Sequence, residues 1–216
     1  MNKMLKIIFI YSLIVAIQIG LGTCVLEAGQ TEQDQQQGEQ LKEDDQQPKS
    51  VKVVYPDGSS YEGDMLNGQH HGKGIYKWTD GSFYEGDFVN GMMQGKGIII
   101  WPNGHSYEGD FLKDEAYGKG IYNWPDGRSY EGEFLNSKGN GKGIYKWPRG
   151  SSYEGDILNW ERHGKGIYTW TDGSSYAGYF VEGKKQGKGV LYDPSGKVVK
   201  AGQWDNDEFV VSIETM

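Results

Sequence analysis

The chain has 216 residues with 34 glycines and only 36% hydrophobic residues, poor stock for one large closed core, so burial must come from the 13% that are aromatic. The net charge of −8 divides into +2 from Lys3 and Lys6, −5 over residues 27–50 and −5 over residues 51–216, so no segment beyond the N terminus is basic and nucleic acid is excluded as a default partner. The single cysteine, Cys24, excludes an intrachain disulfide.

In chain order, the first element is hydrophobic. Lys3 and Lys6 precede an apolar run from Ile7 to Ile19, and the small residues Gly20, Gly22, Thr23 and Cys24 follow. This layout predicts a secretory signal peptide over residues 1–24, with the body of the chain exported. Two alternatives stay open: an uncleaved helical anchor, if the run is extended to Leu26, and a lipid-modified Cys24. Residues 25–52 are rich in Gln, Glu and Asp, lack aromatic residues and carry Pro48, a composition that predicts a disordered acidic linker.

From there the chain repeats. Tyr61, Tyr84, Tyr107, Tyr130, Tyr153 and Tyr176 recur every 23 residues, each followed two positions later by a glycine: Gly63, Gly86, Gly109, Gly132, Gly155 and Gly178. A fixed period in this range marks stacked units that contact only their neighbours. Within one unit, Tyr84, Gly86 and Phe88 alternate with Glu85 and Asp87; Gly95, Gly97, Ile99 and Trp101 then alternate with Lys96, Ile98 and Ile100. Period two in both segments predicts two strands. The turn Pro102-Asn103-Gly104 closes one hairpin onto the next. The array should therefore be an all-β, elongated, single-sheet antiparallel meander of about six hairpins over residues 53–204, preceded by the hydrophobic N-terminal helix and the linker. The glycines beside each ring let it lie over bare backbone, and the opposite face carries charged residues with a row of isoleucines. The loop glycine at Gly68, Gly91 and Gly183 is replaced by Asp114, Ser137 and Trp160, so these loops need not share one conformation. An extra residue after Gly196, and Asp193 where tryptophan is expected, predict that regular hairpins stop and that residues 205–216 form a cap.

YEGDM, NG, GKGIY and DGS, as they stand between Tyr61 and Ser82, with YEGDF in the first place at Tyr84 and Tyr107, resemble the MORN (membrane occupation and recognition nexus) repeat. The resemblance covers residues 55 to about 204. It implies an antiparallel β ribbon used for scaffolding, protein docking or membrane association, sometimes as an appendage to lipid kinases or methyltransferases.

No catalytic constellation emerges. A reaction centre is assembled once from unlike groups, whereas Glu62, Glu85, Glu108, Glu131 and Glu154 recur with the hairpin. GKG recurs without a phosphate-binding GxxxxGK[ST] or GxGxxG, and His70 and His71 read as neighbours on a solvated loop rather than metal ligands. The expectation is a non-enzymatic scaffold with no metal or cofactor. It would take a protein partner or a second copy of itself through an aromatic groove or ribbon edge, with a small-molecule substrate disfavoured. Trp160, on a loop beside Glu161 and Arg162, is the first candidate contact, joined by the repeat tryptophans Trp78, Trp101, Trp124, Trp147 and Trp170. Two other classes remain: a carbohydrate or cell-wall module that stacks sugars on these rings, and association with phosphoinositide membranes, as the family name implies.

Overall fold

The computed structural model describes residues 47–212; the signal or anchor expected over 1–24, most of the linker and residues 213–216 lie outside them. Fifteen strands form one sheet in which every strand pairs with its sequence neighbours, all antiparallel. They are β1 (Lys49–Val54), β2 (Ser60–Leu66), β3 (Gln69–Lys77), β4 (Phe83–Val89), β5 (Met92–Ile100), β6 (Ser106–Leu112), β7 (Glu115–Asn123), β8 (Ser129–Leu135), β9 (Lys138–Lys146), β10 (Ser152–Leu158), β11 (Glu161–Thr169), β12 (Ser175–Val181), β13 (Lys184–Tyr192), β14 (Val198–Asp205) and β15 (Glu208–Ser212). This is the expected all-β hairpin meander.

The core lies on one face of the sheet and is built from rings. Tyr61, Tyr84, Tyr107, Tyr130, Tyr153 and Tyr176 are fully buried. Register places Gly97 opposite both Gly86 and Gly109, so a ladder of glycines crosses the sheet, and the Tyr84 ring lies on it. A Cβ at Gly97 would sit 2.4 Å from the Tyr84 ring, which is why that position carries no side chain. The Tyr84 hydroxyl donates to the Asp87 carbonyl at 2.9 Å, and Tyr107, Tyr130 and Tyr153 repeat that bond three residues on. Phe88 and Phe111 meet the Tyr84 ring edge-on, both at 5.0 Å between centroids, so each tyrosine joins its own repeat to the next. Such pairs contribute about 0.5–1.5 kcal/mol each beyond the area they bury.

Two turns alternate. Asn103-Gly104 and its equivalents lie in a loop where the Gly104 amide donates to Trp101 O and the Trp101 amide to His105 O, both at 3.0 Å. The other connection is a two-residue turn with positive φ at both positions, the type I′ pattern that matches the twist of paired strands. The loops that need not have been alike share one conformation. Asn90-Gly91, Lys113-Asp114, Asn136-Ser137 and Asn159-Trp160 all have a first φ of 50° or 51° and a second φ between 60° and 82°. The reason is a bond between repeats. The second residue's amide donates to the preceding repeat, as in Gly91 to His70 O, Asp114 to Met93 O and Trp160 to Gly139 O, and this fixes the turn whatever side chain it carries.

Both ends differ from expectation. Strand β1 begins at Lys49, inside the stretch expected to be linker to residue 52, because Val51 and Val53 sit opposite Gly63 and Tyr61 of β2. At the other end the hairpins do not stop: β14 and β15 pair as a further hairpin where an irregular cap was expected. The extra residue is absorbed by a register shift at Leu191/Tyr192, and Trp204 takes the place of the repeat phenylalanine. Its ring meets Tyr176 edge-on at 5.1 Å and its Nε1 donates to Gly189 O at 3.1 Å.

A candidate docking groove

The tyrosine of GKGIY and the tryptophan that follows it stand on the ring-bearing face, just before the Pro-Asn-Gly loops. From Trp101 they form an unbroken file: Tyr122 at 6.0 Å, Trp124 a further 4.7 Å on, then Tyr145 (5.8 Å), Trp147 (5.6 Å), Tyr168 (5.6 Å) and Trp170 (5.0 Å). The repeat sets this rhythm: Tyr122 and Trp124, Tyr145 and Trp147, and Tyr168 and Trp170 each lie two residues apart at the end of one strand, and successive pairs stand two strands, about 9.6 Å, apart. The tryptophans are half-buried: one side packs on the core and the other is open.

A groove of about 630 Å³ lies along the middle of the file. Trp101, Trp124, Trp147 and Trp160 line it together with Tyr122, Tyr145 and Arg162. Of the six tryptophans expected to bind, the structure brings four together here; Trp78 and Trp170 do not line the groove. Trp160 stands on the tight turn and is half-buried, but its ring packs on the preceding repeats rather than on its own hairpin. Its ring folds back across the preceding repeats to within 5.2 Å of Tyr122, 5.4 Å of Trp124 and 5.5 Å of both Tyr130 and Phe134. Space for it comes from Gly139, where a Cβ would lie 2.9 Å from Trp160 Cε3. Neighbouring repeats place Met93 and Ala116 at the equivalent of Gly139, with Asp114 and Ser137 at the equivalent of Trp160, so bulk on one hairpin trades against bulk on the next.

The cations at the groove are engaged. Arg128 lies 5.2 Å over the Trp124 ring and forms a 2.7 Å ion pair with Asp126, whose carboxyl is held below its ordinary range first by the Arg128 backbone amide. Arg162 lies over Tyr168 and Phe180 and donates to Gly183 O. Glu161 and Glu182 stand exposed at the rim. Burial pushes the Tyr122 and Tyr145 phenols up, so they are neutral donors at physiological pH. Tyr122 bonds His105 Nδ1 at 2.7 Å and Tyr145 donates to Trp160 O at 2.8 Å. The groove offers stacking, apolar contact and hydrogen bonding. The recurrence of the tyrosine in GKGIY was visible in the sequence; nothing there marked Arg128, and Arg162 stood out only as a neighbour of Trp160, since each arginine occurs once at its place in the repeat.

His70 and His71 lie on β3 rather than on a loop. The His70 ring stacks on Tyr61 at 3.9 Å with Nε2 2.7 Å from the Tyr55 hydroxyl, and burial lowers its pKa. Among the described residues no group of three His, Cys, Asp or Glu side chains is placed to hold a metal ion.

Comparison with protein-family models matches the MORN repeat six times, at residues 61–83, 84–106, 107–127, 130–152, 153–175 and 176–198. Curated proteins give no match. Among solved structures, the chain is similar to the SAS-4 (dCPAP) TCP domain of Drosophila melanogaster in complex with a proline-rich motif of Ana2 (13% identity, 69% of this chain and 86% of that one, TM-score 0.36). It is also similar to the TCP10 domain of Danio rerio CPAP in complex with a STIL peptide (16%, 72% and 84%, TM-score 0.23), and to virginiamycin B lyase of Staphylococcus aureus (14%, 71% and 58%, TM-score 0.17). TM-scores this low carry no inference about partner or activity.

Proposed function

The chain belongs to the MORN-repeat family, and from that premise we propose that it is a non-enzymatic docking scaffold whose aromatic groove receives a protein partner. The file of half-buried rings from Trp101 to Trp170, with an open groove along its middle, carries this reading. An indole with one face already fixed by the core loses little conformational freedom when a partner covers the other, and burying some 80 Å² more of it contributes about 2 kcal/mol. Repetition supports the non-enzymatic part: the carboxylates and phenols recur in like surroundings with each hairpin, whereas acid and base roles need unlike ones. The reading also places the array outside the cytosol, exported or held at a membrane. That part rests on Lys3, Lys6 and the run Ile7–Ile19 alone.

Affinity capture from the extracytoplasmic fraction tests it, comparing the wild type with Trp124→Leu/Trp147→Leu. A protein retained by the wild type and lost from the variant, with the β circular dichroism unchanged, is the expected result. Retention of glycan or wall material with no protein, or equal capture by both, would contradict it. Anionic vesicles should not be bound even at low salt, because residues 51–216 carry 23 acids against 18 bases.

A further inference from the structure

The face opposite the rings is a second surface. There the sheet forms one continuous trough of about 1800 Å³ from β3 to β12, floored by the backbone of the glycine ladder. Along one wall Glu108, Glu131 and Glu154 alternate with Ile121, Ile144 and Ile167, each glutamate opposite an isoleucine in register. Along the other wall lysines and aspartates neutralise each other: Lys73 with Asp87 and Lys96 with Asp110 at 2.7 Å, Lys142 with Asp156 at 2.5 Å. The three glutamates are exposed and have no ion pair or side-chain hydrogen bond among the described residues. The trough therefore presents spare carboxylates at a fixed interval beside apolar rungs.

The C-terminal end of the trough departs from the repeat. Where Glu154 and Asp156 stand in one repeat, the next has Ala177 and Tyr179. Tyr179 is 42% exposed and Ile167 49% exposed; Lys165 lies 5.5 Å over the Tyr179 ring in place of an ion pair. The carboxylates give way to an open apolar hollow.

We propose that this trough docks a basic, intrinsically unfolded segment of a partner protein, carrying Lys or Arg at every third position and an aromatic residue at the next third position. Successive glutamates are two strands apart, about 9.6 Å. A polyproline II chain rises about 3.1 Å per residue with three residues per turn, so its side chains return to one side every 9.3 Å or so, a mismatch of about 0.3 Å per contact. An α-helix returns every seventh residue, about 10.5 Å, and drifts out of register by about 0.9 Å per contact. A β-strand puts residues three apart on opposite sides. The charge selects a basic occupant, the spacing selects its conformation, and the hollow at Ala177 and Tyr179 takes its aromatic residue.

Synthetic peptides test this on the full chain. Each has three lysines at every third position and a tryptophan three residues beyond, made in both chain directions, with a lysine-spacing-two isomer of the same composition as control. Fluorescence anisotropy should show one direction binding at least tenfold more tightly than its isomer, with affinity falling steeply as salt rises. Glu108→Gln/Glu131→Gln/Glu154→Gln should lose at least tenfold and flatten the salt dependence. Ala177→Glu/Tyr179→Asp installs the residues of the preceding repeat, so the hairpin is preserved, and it should abolish the advantage of tryptophan over serine in the peptide. Trp124→Leu/Trp147→Leu, on the other face, should bind as the wild type does. Equal affinity for the two lysine spacings on the wild type would overturn the proposal whatever the variants do. So would undiminished binding to the Gln variant, or loss of binding in the tryptophan variant.

Discussion

At the scale of single residues, the arrangement rests on rings seated on glycine, and Trp160 shows the rule most sharply because it obeys it across two repeats. Trp160 and Gly139 lie 21 residues apart in sequence but share one volume. Gly139→Met should destabilise the protein by about 2 kcal/mol through overpacking, and Trp160→Gly by a similar amount through the cavity it leaves. The double variant recreates the Met-and-small combination of Met93 and Asp114, and a urea-melt cycle should show about 1–2 kcal/mol of favourable coupling. Additive losses would contradict shared packing. The buried phenols give a second test. Burial holds Tyr61, Tyr130 and Tyr176 at about 12, against an unfolded value near 10. A raised folded pKa favours the neutral phenol, so this stability is complete below pH 10 and is lost as pH rises toward 12. Tyrosinate absorbance from these buried phenols should therefore appear together with loss of the β signal; their ionisation near pH 10 in an intact sheet would refute it. The recurrent tyrosines and glycines were legible in the chain because period and alternation place them. The position of Trp160 was not, because the glycine that admits it belongs to the neighbouring hairpin.

At the scale of the element, the tight turns form one series despite their varied residues. Lys113 and Glu182 hold φ near 50°, where asparagine serves in five of the seven turns. Asparagine tolerates this conformation better than a long side chain, so Lys113→Asn should raise stability by a few tenths to about 1 kcal/mol, read from the thermal midpoint. A lower midpoint would show that Lys113 has a role beyond the turn. Asp114, Ser137 and Trp160 left the loop conformation open because a turn read alone shows only its own residues, whereas its conformation is set by a hydrogen bond to the preceding repeat. For the same reason the hairpin of β14 and β15 was read as an irregular cap: Asp193 and the added residue break the motif, yet the 3.1 Å bond from the Asp207 amide to Lys185 O of the preceding repeat keeps the turn between them.

At the scale of the whole array, one sheet exposes two unlike surfaces, an aromatic groove on one face and an acidic, isoleucine-rung trough on the other. Both follow from a 23-residue period laid over a two-residue alternation, which stacks like residues in columns. Of the binding tryptophans named from sequence, Trp101, Trp124, Trp147 and Trp160 meet in the groove, and Trp78 and Trp170 stand outside it. Columns are legible in a sequence; where along a column the walls converge is decided by single departures such as Gly139. The central claim is that a protein seats in the groove, and site-specific photo-cross-linking tests it most directly. Trp147→p-benzoylphenylalanine should give a light-dependent adduct with one partner protein in the extracytoplasmic fraction, while the same group at Asn103, on the turn tip, gives none. An adduct equally strong at both positions, or none at Trp147, would contradict the account.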